Sequence, residues 1–272
     1  MRQVLNVAGK EFCDGLRNRW LISITIIFAL LSIGLTYFGA AASGEVGIAS
    51  LSTTIASLAS LAVFLIPLIA LLLSYDSFVG EQESGTLLLL LTYPLSKTQL
   101  LLGKFVGQGG IIALAIIIGF GSSATLLYFQ SGDIEVFSAF ALFISSAILL
   151  GLSFTAIAYL ISLSVSEKSK AAGLALITWF VFSLAFDLAL LALLVGVEEG
   201  VTQQGLTQLM MLNPADLFRL VNLAALDSSD VNGALSVAIN ASLSQGQLLL
   251  SLFVWVTFPL LLANFLFRRK TL

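Results

Sequence analysis

A chain of 272 residues with 58% hydrophobic and only 10% charged residues, at a mean hydropathy of +1.05, has too little polar surface to cover a soluble globule. It reads as an integral membrane protein, and its formal charge of -3 says little, because in a bilayer the side on which charges lie matters more than their sum. With no His and one Cys, an internal disulfide and metal sites built on imidazole or paired thiolates are excluded.

Met1 to Trp20 mixes Leu5, Phe12, Leu16 and Trp20 with Arg2, Lys10, Arg17 and Arg19. That mixture suits a short helix lying in the interface, with Trp20 at headgroup depth. Leu21 to Ala40 then carries no charge. At about 1.5 Å per residue it is long enough to cross roughly 30 Å of hydrocarbon, and it is too long for a signal-peptide core despite the small residues Ala40, Ala41 and Ala42. A second span is expected from about Thr54 to Ser74, with Pro67 inside it. Proline removes a backbone donor there, which neighbouring helices can tolerate.

Spans three and four, about Gly109 to Phe129 and Phe137 to Leu163, are separated by a short turn and form an antiparallel hairpin. Ser164 to Lys170 is another short turn before span five, about Ala171 to Val195. The sixth runs from about Leu248 to Phe267 and stops at Arg268, Arg269 and Lys270. Between spans five and six, residues 196–247 read as too polar for lipid. Within them Asn213-Pro214-Ala215-Asp216 has the form of a helix start: Asn as N-cap, Pro at the first position, Asp in the first turn. Leu217, Leu220, Val221, Ala224 and Ala225 then recur at helical spacing. One apolar face results, to rest on lipid or on another protein. Leu217, Leu220 and Val221 are accordingly candidate docking positions for a partner.

With six spans, eleven of the 12 Lys and Arg residues fall on one side, and Arg219 alone falls on the other. The positive-inside rule makes that basic side cytoplasmic, with both termini and residues 75–108. The other side carries Glu45, Asp133, Glu135, Glu198, Glu199, Asp216, Asp227 and Asp230. No G-x-x-x-x-G-K-[ST] loop is present to cradle ATP phosphates. Without His, and with Cys13 in the N-terminal segment, nucleophilic or zinc catalysis lacks its parts. No catalytic residue, resident metal, cofactor or nucleic-acid partner is expected. Asp187 is the one ionisable residue well inside a span. It reads either as the working group of a secondary carrier or as a group near the outer helix end, bonded to water or a neighbouring hydroxyl.

Tyr75 to Gln108 holds Asp76, Glu81, Glu83, Lys97 and Lys104 in a chain poor in charge. Glu81-Gln82-Glu83-Ser84-Gly85-Thr86 sets two carboxylates before a glycine that can break a helix. Tyr93-Pro94 ends the apolar run Leu87 to Leu91, because proline disfavours helix in the residue before it. Ser96 and Gln99 have the spacing of a capping box that starts a helix continuing into span three. The expected layout is a short helix between Gly85 and Pro94, held between two breaks; a solvated loop with an amphiphilic helix resting on lipid is the alternative.

The run E-Q-E-S-G-T-L-L-L-L-L-T-Y-P-L-S-K-T-Q-L-L-L-G-K, Glu81 to Lys104, resembles the coupling segment of ABC-2-type permeases. A-x-K-E…L-R-N-R-W, Ala8 to Trp20, resembles the interfacial elbow of the same family. The resemblance implies an all-α integral membrane protein of six transmembrane helices in the ABC-2, type V-like exporter arrangement. It implies a non-catalytic subunit in the bacterial inner membrane, working as a homodimer with cytoplasmic ABC ATPase subunits that bind ATP and Mg. Glu81, Glu83, Gly85 and Thr86 are the positions carried over to ATPase coupling. Within the family the likeness is greatest to the Nos subgroup, which implies a periplasmic partner of the NosD type and a role in copper-site assembly of nitrous oxide reductase. A copper path would call for Met, Cys or His ligands, and Met210 and Met211 have no third ligand beside them. Force transmission to the periplasmic partner, or passage of a sulfur-containing species, is therefore expected instead. A general exporter of a lipid, drug or polymer would share these features, and a secondary carrier using Asp187 would need no ATPase.

Overall fold

The computed structural model describes residues 2–17, 19–38, 50–196, 203–224 and 244–270. Ala40, Ala41, Ala42, Glu45, Glu198, Glu199, Ala225, Asp227 and Asp230 lie outside them. The described residues form helices and turns with no strand. Among the described residues, five helices are long and apolar enough to cross a membrane, and a pair bent by 71° near the N-terminus makes a sixth. The fold is all-α, as expected.

The bent pair is α1 (Arg2–Arg17) and α2 (Arg19–Phe38). Helix α1 lies across α6 (Lys97–Ser131) at a notch made by Gly103 and Gly107. A Cβ on Gly107 would stand 2.7 Å from the Ala8 carbonyl oxygen, and one on Gly103 would stand 2.6 Å from the Val7 Cβ. Lipid is as apolar as these side chains, so helix contacts inside the bilayer depend on close fit and on buried hydrogen bonds rather than on escape from water. Gly107→Val should therefore lift α1 off α6 at about 1–3 kcal/mol. Faster proteolysis within α1 of the detergent-purified chain is the measurement; unchanged protection would show that the notch carries no weight.

Span two is α3 (Leu51–Ser74), begun by Ser50, whose hydroxyl accepts the Thr53 N–H at 3.3 Å. A turn leads to α4 (Val79–Glu83), then to α5 (Thr86–Thr92) and α6. Helix α7 (Glu135–Ser164) returns beside α6 as span four. Span five is not the single α-helix expected: α8 (Lys168–Phe180) passes through a π-helical turn, Val181–Ala185, into α9 (Phe186–Gly196). The reason lies partly in Pro67. Its missing N–H deprives the Val63 carbonyl of a helical partner, and the Ser183 hydroxyl of the π turn donates to that carbonyl at 3.2 Å. Trp179 Nε1 donates to the neighbouring Phe64 carbonyl at 2.9 Å.

Helix α10 (Gln203–Met210) and helix α11 (Pro214–Leu223) precede α12 (Gln245–Arg269), the last span. Asn213 caps α11 by accepting the Ala215 N–H at 2.9 Å. The sequence placed this helix in a polar outer loop, with its apolar face turned to lipid or a partner. The structure instead packs α11 against α3, α7 and α12. Leu217, Leu220 and Val221 are 0%, 2% and 0% exposed and are covered by Leu206, Met210, Leu248 and Leu252 of the same chain. These positions present no docking surface, because the chain covers them itself. Phe218 on the other flank joins an aromatic core: its ring lies tilted against Phe143, which meets Phe120 and Phe140 edge to face.

Candidate coupling site

At the basic end of the bundle, the turn between α3 and α4 is held by side chains from other helices. Ser162 Oγ on α7 accepts the backbone N–H groups of Phe78 and Val79 at 3.1 and 3.0 Å. Gln108 on α6 donates from Nε2 to Ser77 Oγ at 2.8 Å, and its Oε1 accepts the Tyr159 hydroxyl at 3.0 Å. The Phe78 ring sits 5.1 Å from that of Tyr159 and 5.0 Å from that of Phe267. A backbone that leaves the helix inside a bilayer protein must be satisfied by its neighbours. Here α6, α7 and α12 together fix where α4 begins.

Glu81 on α4 reaches back to α6, where Lys104 Nζ donates to its Oε1 at 2.7 Å. The same ammonium donates to Glu11 Oε1 on α1 at 3.0 Å, and the Lys104 side chain is only 3% exposed. One buried cation thus joins three elements: the elbow, the short helix after span two, and the start of span three. Lys10 stands at the rim of this cluster, 3.5 Å from both Glu11 and Asp14. Partial burial pulls its pKa down, but the carboxylates of Glu11 and Asp14 outweigh that and hold the ammonium above its usual range.

Glu83 points the other way. Its Oε1 accepts the Lys168 backbone N–H at 2.6 Å, so a residue of α4 caps the first turn of α8. Asp76 pairs with Lys168 Nζ at 2.7 Å. A polar cleft of about 650 Å³ opens here, lined among others by Glu11, Asp76, Glu81, Glu83, Lys104 and Lys168. Gly85 follows with φ 73°, the left-handed conformation that glycine adopts without a Cβ penalty. Thr86 Oγ1 lies 2.8 Å from Ser84 Oγ and 3.3 Å from the Glu81 carbonyl, closing the break.

Helix α5 follows that break. Leu87 is 1% exposed and packs with Phe78, Leu100 and Tyr159, whereas Leu88, Leu89 and Tyr93 are 56%, 64% and 64% exposed. The far end is tied down by Gln3 of α1, whose Nε2 donates to the Pro94 carbonyl at 2.6 Å. Ser96 and Gln99 then form a complete capping box at the start of α6. Lys97 Nζ donates to the Lys270 carbonyl at 2.6 Å, joining this segment to the end of α12.

The charges that made this segment stand out in the sequence thus face inward or sideways. Glu81 and Lys104 bind one another, and Glu83 holds α8. What α5 presents outward is an apolar face, Leu88, Leu89 and Tyr93, on a helix fixed at both ends. A run of five leucines, Leu87 to Leu91, gave no periodicity from which to tell the buried member from the exposed ones. Glu11 stood in the elbow pattern, but nothing there pointed to Lys104, which lies 93 residues away.

At the opposite end, Asp187 on α9 is not isolated. Arg219 Nη1 on α11 donates to Asp187 Oδ2 at 2.7 Å and to Asp216 Oδ1 at 2.9 Å. Asn213 Nδ2 donates to Asp216 Oδ2 at 3.0 Å and to the Phe182 carbonyl of the π turn at 2.8 Å. The arginine that the sequence counted as a loop charge is the partner of the intramembrane acid. Met210 is buried among Leu206, Leu217 and Leu220, and Cys13 is exposed on α1.

Two kinds of likeness to known proteins accompany this geometry. The family described as "ABC-2 family transporter protein" matches residues 5–272. Two relatives, each named "Probable ABC transporter permease protein NosY", come from Pseudomonas aeruginosa and Stutzerimonas stutzeri. The first is 52% identical over 273 residues and the second 52% identical over 274. Each alignment covers 99% of this chain and 99% of the relative.

Proposed function

Since the chain belongs to the ABC-2 transporter family, as a membrane-embedded permease subunit, we propose that its basic end is cytoplasmic and that α5 seats in a cleft of a separate ATPase subunit. The observation that carries this reading is the build of α5. A free amphiphilic loop would have no reason to be pinned by Gln3 at one end and by the Glu81–Lys104–Glu11 cluster at the other while turning Leu88, Leu89 and Tyr93 outward. An apolar anchor on a rigid base suits a pocket on a partner, where few residues carry most of the binding energy. Glu81, Glu83, Gly85 and Thr86 support that anchor from behind. ATP and Mg bind to the ATPase, and this chain supplies no catalytic group.

The chain works as a homodimer with two such ATPases in the bacterial inner membrane, with both termini cytoplasmic. The likeness to the two NosY proteins supports placing it in a Nos-type complex with a periplasmic partner, serving copper-site assembly in nitrous oxide reductase. The subunit's part there is to pass on the ATP-driven movement. A strain lacking this chain should make a nitrous oxide reductase deficient in copper; a fully loaded reductase would favour the general exporter reading.

Co-expression with its ATPase tests the anchor directly. Leu88→Asp with Leu89→Asp should weaken association roughly 30-fold, the equivalent of losing an anchor of about 2 kcal/mol. The chain itself should stay folded, because neither side chain is buried. Equal recovery of the ATPase with the variant would sink the reading, as would the absence of any ATPase from the wild-type preparation.

A further inference from the structure

Within one chain span five is less enclosed than spans two, three, four and six: in its most apolar stretch 11% of residues are buried, against 50%, 50%, 56% and 28%. Only Ala171 and Ala175 of α8 and Ser183 of the π turn are buried. Apolar contact within the chain therefore contributes little to the position of this span. Polar ties set it at three levels. The Glu83 carboxylate accepts the first backbone N–H of α8, and Asp76 pairs with the Lys168 ammonium. In the middle, Trp179 and Ser183 donate to the two α3 carbonyls that neighbour Pro67 in the preceding turn. Beyond the π turn Asp187 is bound to Arg219 of α11, and within the turn the Phe182 carbonyl accepts from Asn213 Nδ2.

These ties form one chain of contacts from α4 to α11. A π turn is a natural bend point, because its hydrogen bonds are spaced wider than those of the α-helix around it. Bonds to charged groups are the strong members of a hydrogen-bonded set, and the Arg219–Asp187 tie, 15% and 33% exposed, is the better shielded of the charged ones. A displacement of α4 would pull on the N-terminus of α8 through Glu83. It would turn the span about the π segment and move α11 through Arg219.

Resting on the coupling reading, we infer that span five is the lever that carries motion of the short helix after span two to the helix at the opposite end, with Glu83 and Asp187 as its two positioning residues. The lever explains why Glu83 faces α8 although its neighbour Glu81 faces Lys104. It also gives α11 a task consistent with its burial: it is the driven element at the outer end.

The structure supplies a reporter. Leu212, just before α11, is 59% exposed, and Trp255 Nε1 donates to the adjacent Met211 carbonyl at 3.0 Å. A bimane on Leu212→Cys, in a Cys13→Ser background, is therefore quenched by that indole according to where the start of α11 lies. The experiment uses the full chain with its co-expressed ATPase in lipid nanodiscs, comparing nucleotide-free with vanadate-trapped ATP states. The unmodified lever should give a nucleotide-dependent change in emission. Asp187→Ala, at the end far from the ATPase, should reduce that change at least fivefold while the ATPase remains bound. Glu83→Ala should reduce it as much, and Glu83→Gln should restore most of it, since its amide oxygen still accepts the Lys168 N–H. A full emission change in Asp187→Ala overturns the lever, as does a wild-type complex with bound ATPase in which α11 does not respond. Failure to recover any ATPase overturns the coupling reading, and this inference with it.

Discussion

Lys104→Met should destabilise the chain by about 3–5 kcal/mol, the usual penalty for removing one partner of a buried ion pair. The Lys104 side chain is 3% exposed and stands between Glu11 at 3.0 Å and Glu81 at 2.7 Å. Without its ammonium, two carboxylates from different elements face each other in a poorly solvated pocket. The destabilisation comes less from the lost attraction than from charge left unmatched. Neutralising the carboxylates should therefore undo most of it: Lys104→Met combined with Glu11→Gln and Glu81→Gln should recover much of the stability that the single change removes. Unfolding of the purified chain in detergent micelles measures both. If the single variant were as stable as the wild type, or the triple variant worse than the single, the cluster would not be the clamp that its geometry describes.

Arg219→Ala should be of similar size, about 3–5 kcal/mol. The two acids it serves are not equivalent. The Asp216 side chain is 1% exposed and that of Asp187 is 33% exposed, so water can reach the second but hardly the first. The unmatched charge on Asp216 dominates the loss. Arg219→Ala with Asp216→Asn should regain more stability than Arg219→Ala with Asp187→Asn. The reverse order would place the structural weight on span five rather than on α11. The pair also bears on transport: an Asp187 held by an arginine is not the isolated ionisable group that a secondary carrier reading assumes.

Features set by residues close together in sequence were legible before the structure. The capping box at Ser96, the helix break at Gly85, the stop at Pro94 and the Asn213-Pro214 helix start each depend on neighbours within a few positions. The spans are read from their length and lack of charge, because a bilayer demands both. Long-range partners were not legible. Glu11 and Lys104 are 93 positions apart, and Asp187 and Arg219 are 32 apart; nothing in local pattern joins them. An apolar face, as on α11, says that something must cover it but not what. Here α10 and α12 of the same chain do so. The π turn was hidden for a related reason: Ser183 and Phe182 matter there only because Pro67 and Asn213 lie opposite. The family motif marked out Glu81 to Lys104, yet the positions carried over from it end at Thr86, before the side chains that α5 turns outward.

The most direct test of the account is the accessibility of Leu89. In a Cys13→Ser background, Leu89→Cys should react rapidly with a membrane-impermeant maleimide in inverted inner-membrane vesicles holding the chain alone. It should become protected when the ATPase is bound. Phe129→Cys, 85% exposed at the opposite end of α6, should react only when the other face of the membrane is open to the reagent. Equal labelling of Leu89→Cys with and without the ATPase, or labelling from the same face as Phe129→Cys, would contradict the claim that α5 is the cytoplasmic anchor of an ATP-driven partner.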